Sequence, residues 1–219
     1  MSFICFDNVS KSFGKNKVIS GVSFALEKGE SCGFVGQNGS GKTVIFKLMS
    51  GLLIPSSGSI TINGIDYSKK GKFFNSMGVM IETPGFIPYY SGLKNLKILN
   101  SLSENPVPVS EIFTLMERFG LNPKNKSAVS TYSLGMRQKL GIIQAVMNKP
   151  ELLVLDEPMN GIDTESAYEI RRTLSELNKS GTTTVIASHI SDDIGALCGR
   201  IFSVENKSLR ELNSGKFGI

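Results

Sequence analysis

Nowhere in the 219 residues does an apolar run approach the ~20 residues that a membrane-spanning helix needs, so no transmembrane segment is expected. The opening stretch, Met1 to Phe13, alternates apolar and polar residues and lacks a basic region followed by an apolar one. A secretory signal is therefore not expected. Cysteine is scarce. Cys5, Cys32 and Cys198 make an odd count at scattered spacings with no CxxC pair, which points to free thiols in a reducing cytosol rather than disulfides or a metal site. Internal repeats and low-complexity tracts are also missing. What is present suits one sizeable domain: 40% hydrophobic residues, enough for a packed core. The formal charge of +5 is compatible with an anionic ligand, nucleic acid or an anionic surface. The lysines are spread out, with one short cluster at Lys69, Lys70 and Lys72, so a solvated surface is the expectation.

Short apolar runs alternate with helical patterns, which predicts an α/β fold. Strands are expected at Phe3–Val9, Val18–Leu26, Ser31–Val35, Gly58–Ile62, Met77–Ile81, Leu152–Leu155, Thr183–Ala187 and Arg200–Val204. The second and fourth read as antiparallel elements, and the Leu152 and Thr183 runs as buried parallel strands. Periodicity predicts helices over Ser110–Phe119, Ser133–Met147 and Thr164–Ser180, the last capped by Gly181. The helix-rich stretch from about Pro84 to Met147 reads as an inserted helical lobe.

Gly36-Gln37-Asn38-Gly39-Ser40-Gly41-Lys42-Thr43 follows an apolar strand and opens a helical pattern that takes in Val44. Glycines let consecutive N–H groups turn toward phosphate oxygens, and the helix N-terminus adds partial positive charge. Lys42 is placed for the β- and γ-phosphates and the Thr43 hydroxyl for Mg²⁺. Nucleotide binding follows, but kinases, GTPases and ATPases all use this cradle. A second constellation narrows it. Leu152-Leu153-Val154-Leu155 ends in Asp156-Glu157-Pro158, and buried strands rarely finish in two acids unless a cation or donor awaits them. Asp156, on a strand expected beside the P-loop strand, is assigned to the Mg²⁺ shell, and Glu157 to polarising the water that attacks the γ-phosphate.

With Tyr132-Ser133-Leu134-Gly135-Met136-Arg137-Gln138 between these two motifs, the chain resembles the ABC ATPase family over nearly its whole length. The middle segment is similar to that family's signature loop: Ser133 and Gly135 match, while Leu134 and Met136 depart. The resemblance implies a P-loop NTPase core, mostly parallel sheet with helices on both sides, plus an antiparallel β subdomain and a helical lobe. It implies a head-to-tail dimer, of two copies or of this chain and a paralogue, in which each ATP is closed over by the partner's signature loop. Ser133 also suits the N-cap of the following helix. Asn160-Gly161-Ile162-Asp163 resembles the D-loop, with Asp163 equally suited to capping the next helix. His189 resembles the H-loop histidine that contacts the γ-phosphate. Phe13 resembles the aromatic that stacks on adenine, with Val18 beside it; a core position is the other reading of Phe13.

Most such cassettes carry glutamine where this chain has Glu82. The glutamate resembles the bacitracin- and lantibiotic-type exporters and implies a charged oxygen for Mg²⁺ or the attacking water. Phe86, Ile87, Tyr89 and Tyr90 follow. They are either a docking patch for an integral membrane permease, as the resemblance implies, or internal packing of the lobe. The expectation is an ATP-hydrolysing subunit, peripheral at the cytoplasmic face of the membrane through its permease and without a nucleic-acid partner. Two rivals stay open. One is an ABC ATPase acting on DNA or ribosomes, although no heptad tract or second cassette is present. The other is a cassette that binds ATP without turning it over.

Overall fold

The computed structural model describes residues 2–68, 74–189 and 191–212, and the cluster Lys69, Lys70 and Lys72 lies outside the described residues. Two sheets form. β1 (Ile4–Phe13), β2 (Asn16–Leu26), β4 (Ser57–Ile62) and the two-residue β5 (Ile65–Asp66) make an antiparallel sheet in the order β2-β1-β4-β5. The larger sheet contains β3 (Ser31–Val35), β6 (Met77–Met80), β7 (Leu152–Asp156), β8 (Thr183–Ala187), β9 (Arg200–Glu205) and β10 (Ser208–Leu212). Its order is β10-β9-β3-β8-β7-β6, parallel throughout except for the β9–β10 hairpin. β7 and β8 are buried at every position, which is why they lack the apolar–polar alternation of a half-exposed strand.

One expectation is corrected here. The strand carrying Asp156 is not beside the P-loop strand: β8 lies between β3 and β7. Adjacency in a parallel sheet is decided by crossover connections, and nothing local to either strand records it.

Helices α1 (Lys42–Met49), α2 (Gly92–Ser101), α3 (Val109–Arg118), α4 (Leu134–Val146), α5 (Thr164–Lys179) and α6 (Ser191–Leu197) complete the fold. The periodicity of α3, α4 and α5 is used as expected, with Ile112, Leu140, Ile143, Ile170 and Leu174 all buried. α2 carries no clear apolar periodicity, because two of its inward positions are polar. Asn95 bonds both the N–H and the carbonyl of Ile87, and Asn100 does the same for Val107, which hides the apolar stripe. β5 and β10 were also missed, one being two residues long and the other largely exposed.

Two hydrophobic clusters flank the large sheet. One, rich in phenylalanine, joins the two sheets through contacts among Phe6, Phe24, Phe34, Phe46 and Phe202. The other packs α2, α3, α4 and α5 onto the opposite face through Leu153, Leu155 and Ile186. The helical segment between residues 84 and 147 therefore shares a core with the sheet. Its attachment is close: a Cβ on Gly78 of β6 would fall 1.9 Å from the Ala145 carbonyl oxygen of α4. That contact sets where the N-terminus of α4 lies relative to the strand ends.

Candidate nucleotide site

The loop 36–41 turns from β3 into α1 with Gly36 and Gly41 at φ 153° and 113°. At Gly36 a Cβ would also meet the Val204 carbonyl oxygen at 2.6 Å, so only glycine fits. Lys42 is 6% exposed, and its ammonium donates to the carbonyls of Gly36 at 2.6 Å and Gln37 at 3.1 Å. The Ser40 hydroxyl, in the middle of the loop, is buried without a protein partner. A backbone cradle with a held lysine and an unsatisfied hydroxyl fits a polyphosphate.

From the next helical position, the Thr43 hydroxyl donates to Asp156 Oδ2 at 2.7 Å. Sequence positions 43 and 156 thus meet across the intervening β8. Burial raises the Asp156 pKa above its ordinary value, the Thr43 hydrogen bond opposes this, and the neighbouring Glu157 charge adds to the rise. Among the described residues no group of three His, Cys, Asp or Glu side chains could hold a metal alone. A hydroxyl and one carboxylate at the mouth of a phosphate cradle do suit Mg²⁺, which usually completes its shell with substrate phosphates and water.

Glu157 sits at φ 51°, in the left-handed region, a strained conformation of the kind that collects at functional sites. Its N–H donates to the Ala187 carbonyl at 2.9 Å, and Oε2 lies 2.7 Å from His189 Nδ1. His189, just past β8, is thereby aligned with the carboxylate one residue beyond β7. The side-chain amide of Gln138 donates to the Glu157 carbonyl at 2.9 Å and more loosely to that of Pro158. Sequence reasoning did not assign Gln138, because its partners are 19 and 20 residues away and belong to another element.

Ser133 caps α4, its hydroxyl accepting from Met136 N–H at 3.2 Å. Gly135 packs so closely that a Cβ would lie 2.7 Å from the Gly161 carbonyl oxygen. Leu134, 58% exposed, would meet a Cβ on Gly161 at 3.4 Å and lines the cleft, whereas Met136 turns into the helical core. Asp163 caps α5 through Ser166 N–H at 2.9 Å and also pairs with Lys139 Nζ at 2.7 Å. These contacts hold its carboxyl well below the usual range, the Lys139 bond contributing most. Lys139 itself is 9% exposed.

The cleft between these elements has a volume of about 360 Å³, and Val18, Val44 and Glu82 are among its walls. Glu82, another left-handed residue at φ 58°, pairs with Lys47 Nζ of α1 at 2.7 Å. Phe13 is 48% exposed, with the Lys11 ammonium 5.1 Å from its ring, so the core reading of Phe13 is set aside. The Phe86–Tyr90 segment divides. Phe86 packs on the helical cluster, Ile87 is half-buried and Tyr89 is 72% exposed. Tyr90 is half-buried under Lys94, whose ammonium lies 3.5 Å from the ring centre.

The ABC transporter family model matches residues 19–160. The chain is 39% identical over 190 residues to the bacitracin transport ATP-binding protein BcrA of Enterococcus faecalis, covering 86% of this chain and 61% of that one. It is 35% identical over 205 residues to the lantibiotic transport ATP-binding protein SrtF of Streptococcus pyogenes, covering 93% and 88%. In fold it matches a dimeric ATP-binding cassette solved in a post-hydrolysis state with ADP and Pi, at TM-score 0.87 and 20% identity, covering 96% and 98% of the two chains.

Proposed function

The chain belongs to the ABC transporter family as one of its ATP-binding cassettes, and from that premise we propose that it binds and hydrolyses Mg-ATP to power a peptide exporter of the bacitracin or lantibiotic type. The single observation that carries the catalytic half is the 2.7 Å bond from Thr43 to Asp156, which brings the phosphate cradle and the acidic strand end to one point.

Gly36 to Gly41 bind the phosphates through backbone N–H groups, and Lys42 adds a fixed positive charge. When bound between Thr43 and Asp156, Mg²⁺ supplies Lewis-acid stabilisation of the phosphates. Glu157 accepts a proton from the attacking water at its carboxylate, and His189 orients that carboxylate through Nδ1. Gln138 holds the backbone carbonyl of Glu157 in place. Phe13 and Val18 offer an apolar surface to the base.

Ser133 and Gly135 serve the nucleotide of a second cassette, with homodimer and heterodimer equally served by this arrangement. The chain works as a peripheral subunit at the cytoplasmic face, and the exposed Tyr89 with its neighbours is the surface offered to the permease. Glu82 and the similarity to the bacitracin and lantibiotic transport proteins BcrA and SrtF support the peptide cargo.

Glu157→Gln should keep ATP binding, lose hydrolysis by about 10²-fold or more and accumulate as a dimer with ATP. Phosphate release at the wild-type rate would overturn the assignment. Co-expression with the permease should raise the bacitracin or lantibiotic concentration that a host tolerates; unchanged tolerance to both would overturn the cargo.

A further inference from the structure

Three carboxylates surround one cleft: Asp156, Glu157 and Glu82. Asp156 bonds Thr43 and Glu157 bonds His189, while the Lys42 ammonium is turned onto two backbone carbonyls. Glu82 alone of the three is paired with a lysine, Lys47, at 2.7 Å. Lys47 follows Thr43 by four positions in α1, so the two side chains lie on one helix face about 6 Å apart along the axis. The lysine side chain is mostly buried and the glutamate mostly exposed, so the cation is the fixed partner and the anion the movable one.

Glu82 is also in the left-handed region, which a residue with a Cβ adopts at an energetic cost. Its side chain is therefore held in a position that the local backbone disfavours, next to a cleft where another cationic ligand would compete for it. The Glu82 charge already reaches Asp156, where it adds to the raised pKa.

We propose that Lys47 is a positioning residue for Glu82: it holds this carboxylate one helical turn from the Thr43–Asp156 pair, and Glu82 enters the cation site only by giving up Lys47. The proposal rests on the reading that Thr43 and Asp156 hold Mg-ATP, and it makes Lys47 a competitor of the cation for the glutamate loop. A glutamine at position 82 would feel the lysine far less, so the competition is specific to the glutamate.

The test is a Mg²⁺ titration of binding to a non-hydrolysable ATP analogue, by wild type, Lys47→Met, Glu82→Gln and the double variant. The pair is open to solvent on its Glu82 side, which screens it, so Lys47→Met should lower the half-saturating Mg²⁺ by about two- to fivefold. The same replacement in the Glu82→Gln background should change it by less than about 1.5-fold. A second readout needs no nucleotide: in urea unfolding the two substitutions should be non-additive, and the non-additivity should fade in about 1 M salt. Lys47→Gln serves as a second replacement should methionine perturb α1. A higher Mg²⁺ requirement in Lys47→Met, an effect that survives Glu82→Gln, or additive unfolding would each overturn the proposal. Failure of the wild-type chain to bind the analogue at any Mg²⁺ would overturn the functional reading instead, and the unfolding cycle would still decide the Lys47–Glu82 pair.

Discussion

Replacing Gly135 by alanine sets two local effects against each other and isolates a functional one. In the first turn of α4, alanine is favoured over glycine by helix propensity, by about 1 kcal/mol. Against this, the new Cβ would stand 2.7 Å from the Gly161 carbonyl oxygen, where real contacts begin at 3.0 Å and become ordinary at 3.4 Å. The start of α4 and the loop 157–163 must then part by about 0.3–0.7 Å, and overpacking of this kind costs about 1–3 kcal/mol. The net loss of stability is about 0–2 kcal/mol, or at most about 8 °C in Tm for a chain of this size. The same displacement pulls on the bonds from Gln138 to the Glu157 and Pro158 carbonyls and on the Lys139–Asp163 pair. A misplacement near 1 Å costs about 10²-fold in rate, so half of that should cost about tenfold. The assay is phosphate release at saturating Mg-ATP, run well below the Tm measured for the same sample. Wild-type turnover by Gly135→Ala would show that hydrolysis does not need the close approach of residue 135 to the loop 157–163. A Tm fall far beyond 8 °C would refute the balance of stabilities.

Asp163→Ala removes an N-cap and leaves the buried Lys139 ammonium without its partner, so it should destabilise by about 2 kcal/mol or more. Lys139→Met, which leaves Asp163 solvated and still capping, should cost clearly less. Equal losses in urea unfolding would sink the distinction. Because burial raises the Asp156 pKa, acidification should abolish Mg²⁺-dependent nucleotide binding at a higher pH than an exposed aspartate would allow. The ligand-free fold takes up this proton before the unfolded chain does, so at this residue the same acidification adds stability, which is lost as pH rises through the folded pKa. A fall in Mg²⁺ affinity only within the ordinary aspartate range would refute the burial argument. Phe13→Ala should weaken nucleotide binding by about 5- to 150-fold, from about 1–3 kcal/mol of base stacking. Because the ring is exposed, stability should change by less than about 0.5 kcal/mol, and unchanged affinity would return Phe13 to a purely structural role.

Much of the candidate site is legible in the sequence, because its chemistry demands contiguous residues. A phosphate cradle needs glycines, a lysine and a hydroxyl at fixed offsets, and a buried strand ending in Asp156-Glu157 is conspicuous in any sequence. β3 and β8 carry the bounds expected for them, since the turn-forming residues before them and the loops after them mark where each short buried strand begins and ends. The strand order is not legible in the sequence, because the crossover that inserts β8 between β3 and β7 is a property of the whole sheet. α2 went unread because Asn95 and Asn100 occupy its inner face, where they satisfy loop backbone instead of adding to an apolar stripe.

The lack of an apolar run long enough to span a membrane and the order of the three nucleotide motifs were determined by the sequence alone. Each depends on residue type and local spacing, which chain stereochemistry converts directly into strand, turn and helix. Which groups meet was decided only by the tertiary structure: Thr43 with Asp156, Glu157 with His189, Gln138 with the Glu157 carbonyl, Lys139 with Asp163 and Lys47 with Glu82. Those partners are 19 to 113 residues apart in the chain, and a contact at such separation exists only once the sheet has registered and α4 has seated against Gly78.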